Sequence, residues 1–279
     1  MHRQAPPAWL PVGFYYGWAL VGVLGLTATV SYGVLSYAFA VFIAPMMQEL
    51  GWSQATVTGA FSLGSLVAGF AAIPLGRLVD RHGARGVMTA GAMLATVLLI
   101  AWSRVDSVAE FYAIWALMGL ATAAVLYEPA FAVIATWFRV RRSRALTVLT
   151  FIGGLASVIF VPLATWLVAA HGWREALVWL AAIYAPLTIL PHAVVLRRQP
   201  ADLGLLPDGS GVTLGEPEVV EERSVVTAEA LRSRPFRWLA IAFALSSLTT
   251  TAVSVHLVPL LLEQNHSPAF AGGPWDCWV

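Results

Sequence analysis

An all-α integral membrane protein is the fold class this sequence predicts, and three observations predict it. Hydrophobic residues make up 59% of the 279 positions and charged residues only 11%, with a mean hydropathy of +0.76. A soluble domain carries roughly a quarter charged residues. The apolar residues also fall in continuous runs of the length, about 20 residues, that a helix needs to cross the hydrocarbon core. Finally, the 16 basic residues are divided unequally among the gaps between those runs. Together these exclude a soluble enzyme, a disordered regulator and a nucleic-acid binder, and the net charge of +1 supplies no field for a polyanion. Cys277 is the single cysteine, so no internal disulfide or zinc spacing is available. Neither a metal nor a cofactor is expected.

Seven segments have spanning length: 16–44, 55–78, 86–103, 111–137, 145–170, 175–196 and 238–262. The third is the shortest. All are continuously apolar rather than alternating, and longer than barrel strands, which excludes a β-barrel. Only Arg3 precedes the first run, which is too long for a signal-peptide core, so no cleavable leader is expected. Fourteen arginines fall on one side of the predicted topology. Arg104 and Arg174 alone fall on the other. The excess of positive charge marks the cytoplasmic side and places the N-terminus there. Every basic residue is Arg and Asn265 is the only Asn, the composition that GC-rich coding produces. A bacterial inner membrane is therefore the expected location.

Residues 199–236 form the one long polar stretch, with seven acidic residues beside Gly and Pro. They read as a cytoplasmic linker between a six-helix bundle, 1–198, and a second unit, 237–279. The alternative is a long loop inside a seven-helix protein. An internal repeat favours the linker: Pro45–Gly59 laid over Pro259–Gly273 matches at five positions, including Pro45/Pro259 and Glu49/Glu263. Both copies stand at the outer end of a bundle's first helix. Parallel six-helix repeats are a transporter architecture, although two Pro/Ser helix caps could match by chance. The repeat would put an eighth helix at 269–292, whereas the chain stops at Val279 after GGPWDCWV. The expectation is a second bundle cut short, a shifted reading frame after Gly273 being one route to it.

The stretch Gly76-Arg-Leu-Val-Asp80-Arg81-His-Gly83-Ala-Arg85 is expected as the loop between helices 2 and 3. Asp80 would lie near the N-terminus of helix 3, where the dipole favours a carboxylate, and Gly83 would allow a tight turn. This pattern resembles the signature loop of the major facilitator superfamily, G-x-L-x-D-[RK]-x-G-x-[RK]. The loop Trp137-Phe-Arg-Val-Arg141-Arg142-Ser-Arg-Ala145 is similar to that of the monocarboxylate and oxalate/formate transporters within the superfamily, as are Tyr15-Tyr16-Gly17-Trp18 and Gly51-Trp52-Ser53. Helix 5 departs from the glycine-rich pattern of animal members, with Thr147, Leu149 and Phe151 where small residues would stand. The resemblance implies two six-helix bundles and alternating access. It also implies a cytoplasmic gate at Gly76, Asp80, Arg81, Gly83, Arg85, Arg141 and Arg142.

Glu128 is the one clearly intramembrane ionisable residue of the first six helices. It lies four residues past the midpoint of 111–137, about 6 Å towards the cytoplasm. A carboxylate at that depth must face water, pair with a cation or hold a proton, and Pro129 beside it removes a backbone donor. Tyr127, Tyr32 and Tyr37 are candidate cavity hydroxyls. His256 is a candidate anion or proton site, about 9 Å outside the midpoint of the seventh helix. Tyr15, Tyr16 and Trp18 read as an interfacial aromatic belt. No arginine lies mid-membrane; in the resembled carboxylate transporters a cationic residue on helix 8 or later serves an anion. The protein is expected to be a non-enzymatic, monomeric secondary transporter in the lipid bilayer. Its solute would be small and organic, such as a monocarboxylate, carried with protons or by exchange. The alternatives are a sensor or partner subunit and a non-functional fragment.

Overall fold

The computed structural model describes residues 15–209, 233–243, 245, 246 and 249. They belong to two compact units, one within residues 1–214 and one within 215–279. In the second unit residues 234–243 are helical, and the Ser233 hydroxyl accepts the Phe236 N–H at 3.3 Å as a helix cap. Most of the seventh expected span, the second copy of the repeat and His256 lie outside the described residues.

The first unit consists of α1 (Tyr16–Leu50), α2 (Gln54–His82), α3 (Ala84–Trp102), α4 (Val108–Trp137), α5 (Arg142–His171) and α6 (Trp173–Val195). All six are long and apolar enough to cross a membrane. Two short 3₁₀ turns follow, Pro200–Leu203 and Pro207–Gly209, and no strand occurs among the described residues. Hydroxyls start two of the helices: Ser53 accepts the Thr56 N–H at 3.1 Å and Ser107 the Glu110 N–H at 3.3 Å, each satisfying an orphan donor.

The stretch expected as a loop between helices 2 and 3 is mostly helix. α2 continues through His82, and Gly83 alone separates it from α3. Gly83 adopts φ +84, and a Cβ there would lie 3.0 Å from Arg198 Cγ. Only glycine takes that dihedral without strain, so the chain reverses within one residue. Asp80 consequently sits in the last turn of α2, not on α3.

Three of the six helices are irregular at mid-length; in α5 a turn at Gly154 and Leu155 separates Arg142–Gly153 from Ala156–His171. In α1 the five residues Gly33–Tyr37 form a π turn, with the Ala38 N–H donating to the Gly33 carbonyl at 2.9 Å. Phe160 of α5 packs against Gly33 so closely that any side chain there would overlap it. α4 is interrupted at Leu126, which leaves helical dihedrals (φ −82, ψ −155) between segments Val108–Val125 and Tyr127–Trp137. The cause is Pro129: in an unbroken helix its ring would clash with the carbonyl four residues back, that of Val125. After the interruption Pro129 occupies the first turn of a new helix, where its missing N–H costs nothing.

Small residues hold the upper segment of α4 to α2. A Cβ on Gly119 would collide with the Gly64 carbonyl, and one on Gly64 would lie 2.8 Å from the Trp115 carbonyl. Such close backbone approach is how apolar helices associate where lipid removes the hydrophobic drive. Beside it an aromatic cluster fills the bundle: Phe39 meets Trp115 edge-on at 4.8 Å, and Trp102 meets Trp115 at 5.2 Å and Phe42 at 5.2 Å.

Polar clasps close both ends. At the end bearing Gly51 and Gly172, Arg174 donates to Glu49 at 2.7 Å, to Asp106 at 2.7 Å and to the Ser103 carbonyl at 3.1 Å. Trp173 donates to the second Glu49 oxygen at 2.6 Å. At the opposite end Tyr15 and Tyr16, expected in an aromatic belt, hydrogen-bond to helix-end carbonyls. Tyr15 donates to Trp137 O and Tyr16 to Val195 O, each at 2.6 Å.

Two outcomes are expected. Arg174→Gln removes one half-exposed and one exposed ion pair and should cost about 1 kcal/mol, lowering the thermal midpoint in detergent by roughly 2–4 °C. Pro129→Ala should let α4 close across Leu126, slowing amide exchange at 127 and 128 by at least about tenfold. Unchanged exchange would show that the proline does not cause the interruption.

Candidate functional site

The interruption of α4 opens onto a cavity of about 300 Å³ between α1, α2 and α4. Its α2 wall is made of small residues, Gly64, Ala68, Gly69 and Ala72, and it ends against Phe61 and Trp115 of the aromatic cluster. Glu128 lines it, in the first turn of Tyr127–Trp137, where the positive end of the helix dipole favours a carboxylate. The side chain is exposed and has no hydrogen bond or ion pair among the described residues. Glu128 also lines a smaller cavity of about 40 Å³ on the far side of Pro129, beside Gly76 and Ala132.

Three further polar side chains reach the larger cavity and were not singled out from the sequence: Ser36, Ser65 and Thr122. Ser65 donates back to the Phe61 carbonyl at 3.0 Å and Thr122 to the Gly119 carbonyl at 2.9 Å, so their oxygens remain able to accept. The buried Trp115 indole N–H has no acceptor among the described residues. Ser36 lies in the π turn of α1, a local geometry that often accompanies functional sites. The spacing Gly64, Ala68, Ala72 was the readable signal, small residues four apart on the face that turns to the cavity.

The structure groups the three tyrosines near Glu128, though none of them lines the cavity. Tyr32 and Tyr127 rings lie 4.6 Å apart and Tyr32 and Tyr37 rings 6.5 Å apart. Tyr127 stacks on Phe131 at 5.1 Å, and its hydroxyl fits against Gly153 of α5, where a Cβ would overlap it.

The residues assigned to the gate divide into two sets at the arginine-rich end. Asp80 and Gly83 line a separate cavity of about 180 Å³ with Ala84, Thr136, Arg198 and Gln199. Asp80, Arg81 and Arg85 are exposed, and Asp80 has no hydrogen bond or ion pair among the described residues. Gly76 faces open space. Arg142 instead serves α4: its guanidinium donates to the Phe138 carbonyl at 3.1 Å and the Ala135 carbonyl at 3.2 Å, satisfying orphan acceptors at the helix end. Arg141 contributes its backbone N–H, which donates to Asp208 at 3.0 Å. Among the described residues no group of His, Cys, Asp and Glu side chains could hold a metal ion.

Comparison with known proteins shows which family the chain resembles. Monocarboxylate transporter 13 of Bos taurus is 27% identical over 254 residues, covering 91% of this chain and 56% of its own length. Monocarboxylate transporter 11 of Mus musculus is 29% identical over 264 residues, 93% of this chain and 55% of its own length. The oxalate:formate antiporter of Oxalobacter formigenes is 28% identical over 238 residues, 84% of this chain and 51% of its own length. The chain thus spans about half the length of the curated relatives it matches. The sequence profile of the Major Facilitator Superfamily matches residues 8–276. With six membrane-length helices and transporters among its relatives, this all-α membrane chain belongs to the Major Facilitator Superfamily.

Proposed function

We propose that this chain forms the first bundle, 1–198, the linker, 199–236, and the opening of the second bundle, 237–279, of a secondary transporter for a small organic solute. The solute class is an organic anion, with small carboxylates first among the candidates. The support for that class is the similarity to proteins named monocarboxylate transporters and an oxalate:formate antiporter. The solute crosses by alternating access, and Glu128 is the site that binds a proton or a polar group of the solute.

One observation carries this reading: an unpaired carboxylate stands in the wall of a 300 Å³ cavity, at the first turn of a half-helix inside an apolar bundle. A charged group there is costly unless it faces water or exchanges a proton. Protonation would lower the cost of an anion approaching the same half-helix N-terminus, whose dipole attracts negative charge. Proton and anion would then move together, or one anion would be exchanged for another. The arginine excess favours a cytoplasmic N-terminus, and the absence of lysine fits a bacterial inner membrane. Asp80, Arg81 and Arg85 would act at the cytoplasmic gate, and the protein would work as a monomer.

The test is uptake by the full chain reconstituted into liposomes, with labelled oxalate and formate as probes and an imposed pH gradient. Accumulation that follows the gradient and falls at least about tenfold in Glu128→Gln is expected. Uptake indifferent to that substitution removes Glu128 from the mechanism. Absence of uptake of either probe, with or without a counter-anion inside, overturns the transport reading and favours a sensor or partner subunit.

A further inference from the structure

The linker does not leave the bundle at once. After α6 the chain buries Leu196, Pro200 and Leu203 against the bundle, with the first 3₁₀ turn closed by reciprocal bonds between Gln199 and Asp202. It then reaches the connection between α4 and α5. There the Asp208 carboxylate accepts three successive backbone N–H groups, from Arg139 at 2.8 Å, Val140 at 2.9 Å and Arg141 at 3.0 Å. Three consecutive amides converging on one anion form a nest. Only an ionised carboxylate offers enough lone pairs in the right fork to fill it. Asp208 holds φ +62, the only positive φ at a non-glycine among the described residues, and aspartate is one of the few side chains that tolerate that dihedral.

The connection held in this way is the exit of the half-helix whose first turn carries Glu128. Tyr127–Trp137 is 11 residues long, and the chain departs from helical dihedrals on both sides of it, at Leu126 and at Phe138. Its exit is tied down by the Tyr15 hydroxyl on Trp137 O, by Arg142 on the Ala135 and Phe138 carbonyls, and by Asp208 on the next three amides. A helix of this length transmits an axial displacement from one end to the other, and Glu128 lies about 14 Å from Trp137 along it.

We propose that Asp208 is a positioning residue for Glu128: by filling the amide nest at residues 139–141 it fixes the axial position of the half-helix, and with it the placement of Glu128 in the cavity. This rests on the reading of Glu128 as the functional carboxylate. Burial opposes charge on Asp208, but the amides of Arg141, Arg139 and Val140 and the Arg141 charge outweigh it and hold the carboxyl below its ordinary range. The sign follows: a carboxyl whose pKa is lowered by folding stabilises above its unfolded value and loses that contribution only in more acid solution. The strap is therefore closed at neutral pH.

The experiment uses the full chain in detergent, with Asp208→Gly, which accepts the positive φ but has no carboxylate, and Asp208→Asn, which keeps the shape without the charge. Amide exchange is read at 139–141, and the pH profile of Glu128 modification by a hydrophobic carbodiimide is read by mass spectrometry. In Asp208→Gly the three amides should exchange at least about tenfold faster, and the midpoint of the Glu128 profile should move by at least about half a pH unit. Asp208→Asn should fall between the two. Arg174→Gln, which loosens the opposite end of the bundle, should leave the Glu128 profile where it was; an equal shift there would mean general destabilisation and overturn the proposal. Deprotected amides with an unmoved Glu128 profile, or amides still protected in Asp208→Gly, overturn it as well. These readouts follow the chemistry of Glu128 and not transport, so failure of the uptake assay and failure of the positioning role are separate results.

Discussion

The first bundle depends on one backbone incompatibility in the middle of α4. Pro129 cannot follow a helical Val125, so the helix stops and starts again across Leu126. In a hydrocarbon setting freed backbone groups are tolerated only where protein or a water-filled space satisfies them. The cavity beside the interruption meets that condition, and the new N-terminus it creates favours a carboxylate in its first turn. Glu128 occupies that position. The cavity and the favoured place for a carboxylate thus both follow from Pro129, and the small residues of α2 keep the space open, since bulkier side chains there would fill it.

Both segments of α4 are packed into the core, and the second is also hydrogen-bonded at its exit. Val108–Val125 is fixed by the close Gly64–Gly119 approach and by Trp115 in the aromatic cluster, contacts that carry no charge and no protonation state. At the exit of Tyr127–Trp137 packing and hydrogen bonds act together: Trp137 and Phe138 are buried against the rings of Tyr15 and Tyr16, and Tyr15, Arg142 and Asp208 bind the final carbonyls and the amides that follow. Packing to glycine backbone tolerates little sliding, because any shift meets main-chain atoms within van der Waals distance. Hydrogen bonds to a helix end can be exchanged for water at small net cost. At the exit of the half-helix these bonds add to the burial of Trp137 and Phe138 and set where the helix ends.

Much of this was legible in the sequence, and the limits have physical causes. The six spans and the importance of Gly83 followed from hydropathy and from a glycine next to charged residues. Glu128 stood out as the single acid inside an apolar run, and Pro129 marked the kink but not its place. The interruption lies three residues earlier, because a proline clashes with the carbonyl of the preceding turn and not with its own. The segment Gly76–His82 was expected as a loop because its charges suggested solvent. It is helix, since a helix end that projects past the apolar layer keeps its hydrogen bonds and simply exposes its arginines. The Arg174 clasp and the Asp208 nest could not be read at all. Each joins residues more than 60 positions apart, and in the nest the partners are backbone amides, which every sequence possesses.

The position of Asp208 also bears on the character of the segment that follows α6. A linker that only tethers needs length and solubility, and the acidic, Gly- and Pro-containing stretch up to residue 236 has both. Its first part has a different character: Leu196 and Leu203 are buried, a capping pair closes a turn, and one carboxylate fills a three-amide nest. Ordering such a segment costs backbone entropy of about 1 kcal/mol or more per residue, and two buried leucines with a few hydrogen bonds offset only part of that. The remainder must come from the fit to the bundle's end, so the ordered segment and the α4–α5 connection stabilise each other. Residues 199–209 are in this sense an element of the first unit, continuous with its packing.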